Sequence, residues 1–518
     1  MGFLSEIEKS GVIEKSLSRL SLPGSSDNAD YTIEDAINDH AKLFPVNTFE
    51  HHVTIFEQMD VEDDRNDGYE EIQREAYYNF IRRKAKKAAS SSTVFVYSFM
   101  REVYQTFTDY RKTEAQIVYP LPLLIMVIMM AHNCGFTDAK DIVSYYRKHC
   151  LEFFILMPDV PPLTNQLSSS TVRTVMMLLS REALNAFFTE HFTKVKLYLK
   201  EQINFDKERI ENRPDQIRNT IGFDGQALNS TFKRGESNRR IKGGDVVTLF
   251  DCTNRVALDY EIAEKKNNER RSVLNLFSAK IKDSVVMADA LNSQKCVTDA
   301  ILKNGADYLL PIKMNSNKEL TLHVEAIFNR NHQRSIKNHK VEKNHGRIDE
   351  WYYEVLPAKG NLDPRIKNQH SKVRTLVKYA KISERIIDGK CVSRSNNTRY
   401  YISSLPYDEN TIYQIRASIE DYWAIEAHHA VLDNPQVLNQ DHLHLCDTNS
   451  IANATGFNKI SHSFLSFLRQ IISKSLNMSV PISFKETSRQ LSEMDIFKHA
   501  TCMAEYWFDQ IDKSKEEL

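Results

Sequence analysis

Three carboxylates occupy positions where a soluble fold has little ordinary use for a charge. In "TIGFDGQALN" (220–229) a short β-branched, apolar run meets an acid and a glycine at Asp224 and Gly225. In "SVVMADALNSQ" (284–294) a second such run meets Asp289. Both read as strands that end on a carboxylate, and if the strands are neighbours both acids emerge at one sheet edge. Each alone could equally cap a turn or the next helix. The third acid lies in "TIYQIRASIEDYWAIEAHHAVLDN", where Ile412, Ile415, Ile419, Trp423 and Glu426 recur every three or four positions, one face of a helix. Glu426 is therefore expected on a packed stripe, where an unpaired carboxylate is rare and the plain alternative is an ion pair with Lys or Arg.

Oxygen ligands from three separated elements suit a hard divalent cation. Mg²⁺ takes one or two protein carboxylates and completes its shell with water and substrate phosphate. Two such ions about 4 Å apart would clamp the attacking and leaving oxygens of an in-line phosphoryl transfer. Cationic residues adjoin the first acid: "STFKRGESNRRIKGG" (230–244) holds Lys233, Arg234, Arg239 and Arg240. They are read as contacts to a DNA backbone, where Lys and Arg release counterions, against the plainer reading of a solvated turn. "KNHGR" (343–347) offers His345 and Arg347 as a weaker second contact, with Trp351 and Tyr352 nearby as stacking or merely packed rings. His428, His429 and "DHLHLC" (441–446) contain zinc-ligand types, but no pair has finger spacing, so a polar loop is the better reading.

The elements that must position these residues follow from periodicity. Residues 1–100 carry a polar stretch (22–30), an acidic run (59–71) and a basic run (81–92), and read as an unassigned extension. Residues 101–215 are helical in pattern, with Ser168–Ser170 placed to cap "STVRTVMMLLSREALNAFFTEHF" after the break at "MPDVPP". Residues 216–318 turn to β-branched runs ("TIGF", "DVVTLF", "RVALDYEIA", "SVVMADA", "DYLLPI"), with helical segments separating the third run from the fourth and the fourth from the fifth. That is a mixed α/β core. Residues 319–405 read as a β-rich insertion, 406–475 as the returning core that carries Glu426, and 476–518 as a helical tail.

With these residues in place, the chain resembles the Asp-Asp-Glu transposases of bacterial insertion sequences, of the ISAs-type (H-repeat-associated) group. "DGQALNST" from Asp224 is similar to that family's "DGKTLRGS", and "DALNSQ" from Asp289 to its "DA-x-x-x-Q". "GADYLLPIKMNSN", "KNNE" (266–269), "HGRID" (345–349), "RYYISSL" (399–405) and "YWAIEAHHAVLD" from Tyr422 follow in the family's order. The likeness spans roughly residues 105–475. It implies a ribonuclease-H-like mixed-sheet catalytic core with a β-rich insertion, preceded by a helical N-terminal domain. By the same resemblance Asp224, Asp289 and Glu426 are the catalytic acids and metal ligands, for Mg²⁺ with Mn²⁺ as substitute. Lys313 joins the DNA contacts, and Tyr422 and His429 stand behind the acids. The implied partners are double-stranded DNA, as element ends and target, and a second copy of the chain. The chain departs from the pattern at Gln226 and Asn229, which replace a Lys and an Arg, and at Tyr422, which replaces a basic or imidazole side chain.

Composition sets the outer limits. Of 518 residues 41% are hydrophobic and 26% charged, the balance of a soluble globular protein. The longest apolar run, 117–131, is too short for a bilayer span and carries two early prolines. Seven scattered cysteines and no apolar leader point to reduced thiols and a cytoplasmic protein. The net charge of −1 hides an asymmetry: residues 1–115 hold 14 Lys and Arg against 21 Asp and Glu, leaving 54 against 48 beyond. The larger part is mildly basic, which suits a polyanionic partner. The expected function is a DNA transposase that cuts element ends and joins the freed 3′-OH to target DNA. The rival is a catalytically inactive descendant that only binds DNA.

Overall fold

The computed structural model describes residues 91–111, 117–156, 166–187, 217–228 and, from 231 to 503, all but 235–239, 243–244, 264–268, 332–333, 345, 388–389, 444, 476–477 and 479–480. The chain divides into two compact units. Asp206–Ala227 and Gly244–His429 form one; Leu228–Gly243 and Ala430–Leu518 group with Met1–Phe205 in the other.

In the helical unit α1 (Ser91–Thr106) buries Val96, Phe99 and Val103. The apolar run becomes α2 (Leu121–Asn133), in which every residue is buried and Pro122 sits in the first turn, where its missing N–H costs nothing. α3 (Ala139–Leu156) follows, then α4 (Ser169–Leu178), capped by Ser168, whose Oγ accepts from the Thr171 N–H at 3.1 Å.

The other unit is built on one nine-stranded mixed sheet. Its strands are β1 (Thr220–Ala227), β4 (Asp245–Asp251), β5 (Val256–Ala263), β6 (Val285–Ala288), β7 (Asp307–Ile312), β8 (Ile336–Asn344), β9 (Arg347–Pro357), β10 (Thr375–Ile387) and β11 (Lys390–Ser403). They lie in the order β5-β4-β1-β6-β7-β11-β10-β9-β8. The short ribbon of β2 (Phe232–Arg234) and β3 (Arg240–Lys242) is separate. β1, β6 and β7 are parallel neighbours, and every other pairing in the large sheet is antiparallel. Three helices lie in the connections from β5 to β6, β6 to β7 and β7 to β8: α5 (Glu269–Leu276), α6 (Lys295–Lys303) and α7 (Lys318–Asn331). Their apolar stripes join Ile221, Phe223, Val286, Ala288 and Leu310 in a core on one face. The opposite face is covered by α8 (Thr411–Asp433), whose Ile412, Ile415 and Ile419 pack on Val285, Met287, Leu309, Val355 and Val377. The chain then returns to the helical unit through α9 (Thr448–Ser475), which packs on α2 and α4 and is buried from Ser450 to Leu468, and α10 (Phe484–Ser492).

Four expectations change. First, β1 does not end at Asp224; it runs three residues further because β4 keeps pairing with it, Asp224 to Thr248 through Ala227 to Asp245. Second, the segment 319–405 is not wholly strand-like. It opens inside α7, where Leu320, Val324, Ile327 and Phe328 recur at helical spacing and are buried. Its four strands extend the core sheet rather than making one of their own. Third, residues 91–100, grouped with the extension on sequence, belong to α1. Fourth, the packed stripe of α8 leaves the expected line after Ile419: Trp423 is 45% exposed and Glu426 is exposed, while Ile425, His428 and Leu432 are buried.

Candidate active site

Alternation along two parallel strands brings the first two acids together. β1 and β6 pair Ile221 with Val286, Gly222 with Met287 and Phe223 with Ala288. Asp224 and Asp289 are the residues that follow this last pair, and neighbouring strands lie about 4.8 Å apart. Side chains alternate between faces, so Phe223 and Ala288 enter the core beneath α5 and α6, and their successors turn toward α8. The path of α8 can be followed along β1. Thr220 Oγ1 donates to Ser418 Oγ at 3.0 Å, Gly222 faces the Tyr422 ring, and His429 Nδ1 lies 3.7 Å from Asp224 Oδ2. Gly222 is required here for space: a Cβ would meet Cys252 Sγ at 2.7 Å and the Tyr422 ring at 3.3 Å.

Tyr422 lies within electrostatic reach of all three acids. Burial raises its phenol pKa well above the usual value, and the charges of Asp224, Cys252, Asp289 and Glu426 raise it further. One phenol thus stands in the field of all three carboxylates, and it stays protonated at neutral pH. Asp289 is offset differently. Burial pushes its carboxyl up, but the hydrogen bond donated by Lys313 Nζ at 2.9 Å, the Ala290 N–H, and the charges of Lys313 and Arg399 outweigh that and hold it below the usual carboxylate range. Lys313 follows the end of β7, the next parallel strand, so its ammonium reaches Asp289 along the same sheet edge.

Among the described residues no group of three or more His, Cys, Asp or Glu is close enough to hold a metal ion as it stands. Carboxylate oxygens are the donors a hard cation takes, and here Asp224 and Asp289 follow the last pair of two parallel strands, Glu426 lies on α8, and the Lys313 ammonium lies against Asp289.

The remaining candidates are dispersed. Lys233 and Arg234 lie in β2 and Arg240 in β3, with their side chains, like Arg239 and His345, outside the described residues. So do residues 1–90 with their acidic and basic runs, and "KNN" of the 266–269 motif. Arg347 is exposed on β9 and engaged across the sheet, its Nε donating to Asp349 Oδ1 at 2.8 Å and its Nη2 to Ser383 Oγ at 3.2 Å. His428 stacks on Phe250 with ring centroids 4.6 Å apart. Sequence reasoning missed Arg399, whose charge reaches Asp289, and Asp421, buried and accepting from Thr253 Oγ1 at 2.7 Å. Spacing along the chain carries no signal for Arg399, because the register of β11 brings it there. Asp421, a charged residue one position before Tyr422 on a packed helix, was open to detection.

No family model matches the chain. It is 28% identical over 255 residues to "Putative transposase YncI" of Escherichia coli O157:H7, covering 47% of this chain and 61% of that protein. It is 23% identical over 215 residues to "H repeat-associated putative transposase YhhI" of Escherichia coli K12, covering 40% of this chain and 54% of that protein. An uncharacterized Xanthobacter autotrophicus protein encoded in the dhlA 3′ region is 22% identical over 253 residues, 48% of this chain and 76% of its own length. Among solved structures, piggyBac transposase in a synaptic complex with hairpin DNA aligns over 81% of this chain and 80% of its own at 10% identity, with a TM-score of 0.34.

Proposed function

We propose, for a chain related to the H repeat-associated transposase group, that it is a divalent-metal-dependent DNA transposase with a ribonuclease-H-like catalytic core. The observation that supports this reading is the parallel β1–β6 register, whose last pair, Phe223 with Ala288, immediately precedes Asp224 and Asp289, on the sheet whose opposite face is covered by the helix that bears Glu426.

Asp224 and Asp289 would hold Mg²⁺ or Mn²⁺ between them, with Glu426 closing the set from α8. When bound, such a cation supplies positive charge to the attacking oxygen and to the oxygen that leaves. The chain's own residues do the rest. Lys313 balances Asp289 until the site is filled and is then free to meet a phosphate. Tyr422, protonated, keeps a neutral phenol in the field of the three carboxylates. Water attacks the phosphorus at the element end and the P–O3′ bond breaks; the released 3′-OH then attacks a target phosphorus, whose bond to the target strand's own 3′-oxygen breaks as that oxygen leaves with a proton. Catalysis of this kind is positioning and charge stabilisation. The basic residues Lys233, Arg234, Arg239 and Arg240 guide the DNA backbone, and two copies of the chain act on paired ends.

A supercoiled or linear DNA carrying the element's ends tests this directly. Wild-type protein with Mg²⁺ should cut it and leave 3′-OH termini, and EDTA should abolish cutting. Replacing the four basic residues together with Ala should weaken duplex binding and flatten its salt dependence, by about 0.9 in slope for each phosphate no longer neutralised. The inactive, DNA-binding reading rests on the near-neutral net charge of −1 and on the departures from the family pattern around Glu426, Tyr422 among them. Duplex binding with no Mg²⁺-dependent cutting would decide for it.

A further inference from the structure

Hydrogen bonds tie α8 to β1 rung by rung. The backbone N–H of Arg218 donates to Gln414 Oε1 at 2.7 Å, and Gln414 Nε2 donates back to the Arg218 carbonyl at 3.1 Å. Two strand residues on, Thr220 Oγ1 donates to Ser418 Oγ at 3.0 Å. Two further, Gly222 faces the Tyr422 ring. Two strand residues advance about 6.6 Å and four helix residues about 6 Å, so helix and strand keep step. The approach of His429 Nδ1 to Asp224 Oδ2, at 3.7 Å, keeps α8 alongside β1 as far as the first acid.

One rung is built differently. Asp421 is 1% exposed and lies three residues beyond Ser418, on the buried side of α8 that also carries Gln414. Its Oδ2 accepts from Thr253 Oγ1 at 2.7 Å, and Thr253 Oγ1 in turn accepts from the Thr220 N–H at 2.9 Å. Thr253 lies between β4 and β5, where the neighbouring Cys252 N–H donates to the Thr220 carbonyl at 2.9 Å. Both backbone groups of Thr220 thus anchor this turn, and a hydroxyl of the turn holds α8. The apolar contacts of Ile412, Ile415 and Ile419 are non-directional and let a helix slide or roll a little. A 2.7 Å hydrogen bond does not, because any shift takes a donor from a buried carboxylate. A buried carboxylate is a poor means of holding two elements together, but a good means of fixing where they stop. Tyr422 follows Asp421 directly, and Glu426 comes within the next turn and a half.

We propose that Asp421 is a positioning residue. Held by Thr253, it stops α8 at the height along β1 where one more step of the same kind brings Glu426 level with Asp224. The proposal rests on the metal-binding part of the transposase reading and adds to it a residue that touches neither cation nor DNA.

The test uses full-length protein and Tb³⁺ alone, an oxygen-seeking cation whose luminescence is excited through nearby tyrosine and tryptophan rings. Asp224→Asn with Asp289→Asn should abolish the signal, which assigns it to the acids; a signal that survives overturns the proposal. Asp421→Ala should weaken Tb³⁺ affinity about tenfold, as the loss of an outer partner of a metal site does. Thr253→Val should do the same, and the two together no more than either alone, because both break one relay. Asp421→Asn keeps an oxygen for Thr253 and should recover most of the affinity. If Asp421 acted on the cation only through its charge, Asn would be as poor as Ala and Thr253→Val without effect; that result overturns the proposal. A lower melting temperature in Asp421→Ala and Thr253→Val with Tb³⁺ affinity unchanged overturns it as well. Where Asp421→Ala does not fold, Thr253→Val reads the same bond from its other end. A parent protein that holds Tb³⁺ through the acids, loses affinity in Thr253→Val and never cuts DNA in Mg²⁺ upholds the positioning role and overturns the nuclease reading. A parent that cuts, with Tb³⁺ affinity unchanged in these variants, does the opposite.

Discussion

At the scale of single residues, Glu426 and Lys459 make opposite demands on their surroundings. Glu426 is exposed and faces the phenol that also feels Asp224 and Asp289. Glu426→Gln keeps the volume and removes the charge, so thermal stability should stay within about 0.5 kcal/mol of the parent. Duplex binding should persist while Mg²⁺-dependent cutting is lost. Full cutting by this variant would remove Glu426 from the acids, and Glu420 could not simply replace it, being held by Arg416, Lys340 and Tyr353. Lys459 is buried in α9, and burial lowers its pKa to about 7, with Asp433 pulling it part of the way back. The unfolded chain, with the ordinary lysine value of 10.5, holds the proton that the folded chain has released. Stability should therefore rise with pH between about 7 and 10.5, by up to about 1.4 kcal/mol per unit. Below that window both states are protonated and the contribution is constant. Lys459→Met should raise stability at neutral pH and flatten the slope; denaturant melts at several pH values measure it, and an unaltered slope would assign the dependence to another group.

At the scale of elements, the distance between α8 and β1 is set by the smallest side chain available. A Cβ at Gly222 would press on Cys252 and the Tyr422 ring together. Gly222→Ala should cost about 1–3 kcal/mol, the usual penalty for overpacking. Because α8 carries Tyr422 and Glu426, cutting should fall by more than the lost folded population accounts for. A melt and a cleavage assay on one preparation measure both, and loss of stability with specific activity intact would mean that α8 tolerates the shift.

At the scale of the whole molecule, α1 contributes core side chains to the helical unit. Val96 is 3% exposed and Phe99 and Val103 are fully buried. A chain starting at Ser91 should stay soluble and unfold cooperatively. One starting at Ser98 loses Val96 and the first turns of α1, and should melt earlier by about 1.5–3 kcal/mol, the worth of one buried aliphatic side chain. Chemical denaturation of the two proteins checks this, and a molten product from the longer one would mean that residues before Ser91 are needed by the core. No helix among the described residues is long and apolar enough to cross a membrane.

What the sequence by itself determined was local. Short β-branched runs identified β1, β4, β5, β6 and β7, an apolar run identified α2, and Ser168 was legible as a cap because its hydroxyl needs only the N–H three residues on. Asp224 and Asp289 stood out because a charge after an apolar run is costly unless it has a use. The tertiary structure alone decided which strands are neighbours. The Phe223–Ala288 register, the reach of Lys313 to Asp289 and the meeting of Arg399 with Trp423 each join segments far apart in the chain. It also decided which face of α8 is packed. The stripe through Trp423 and Glu426 satisfied the helical period, but a period names a face and not its partner. The sheet beneath α8 ends its apolar rows at Tyr353 and Tyr379, so the helix beyond Ile419 turns other residues inward and leaves these two exposed.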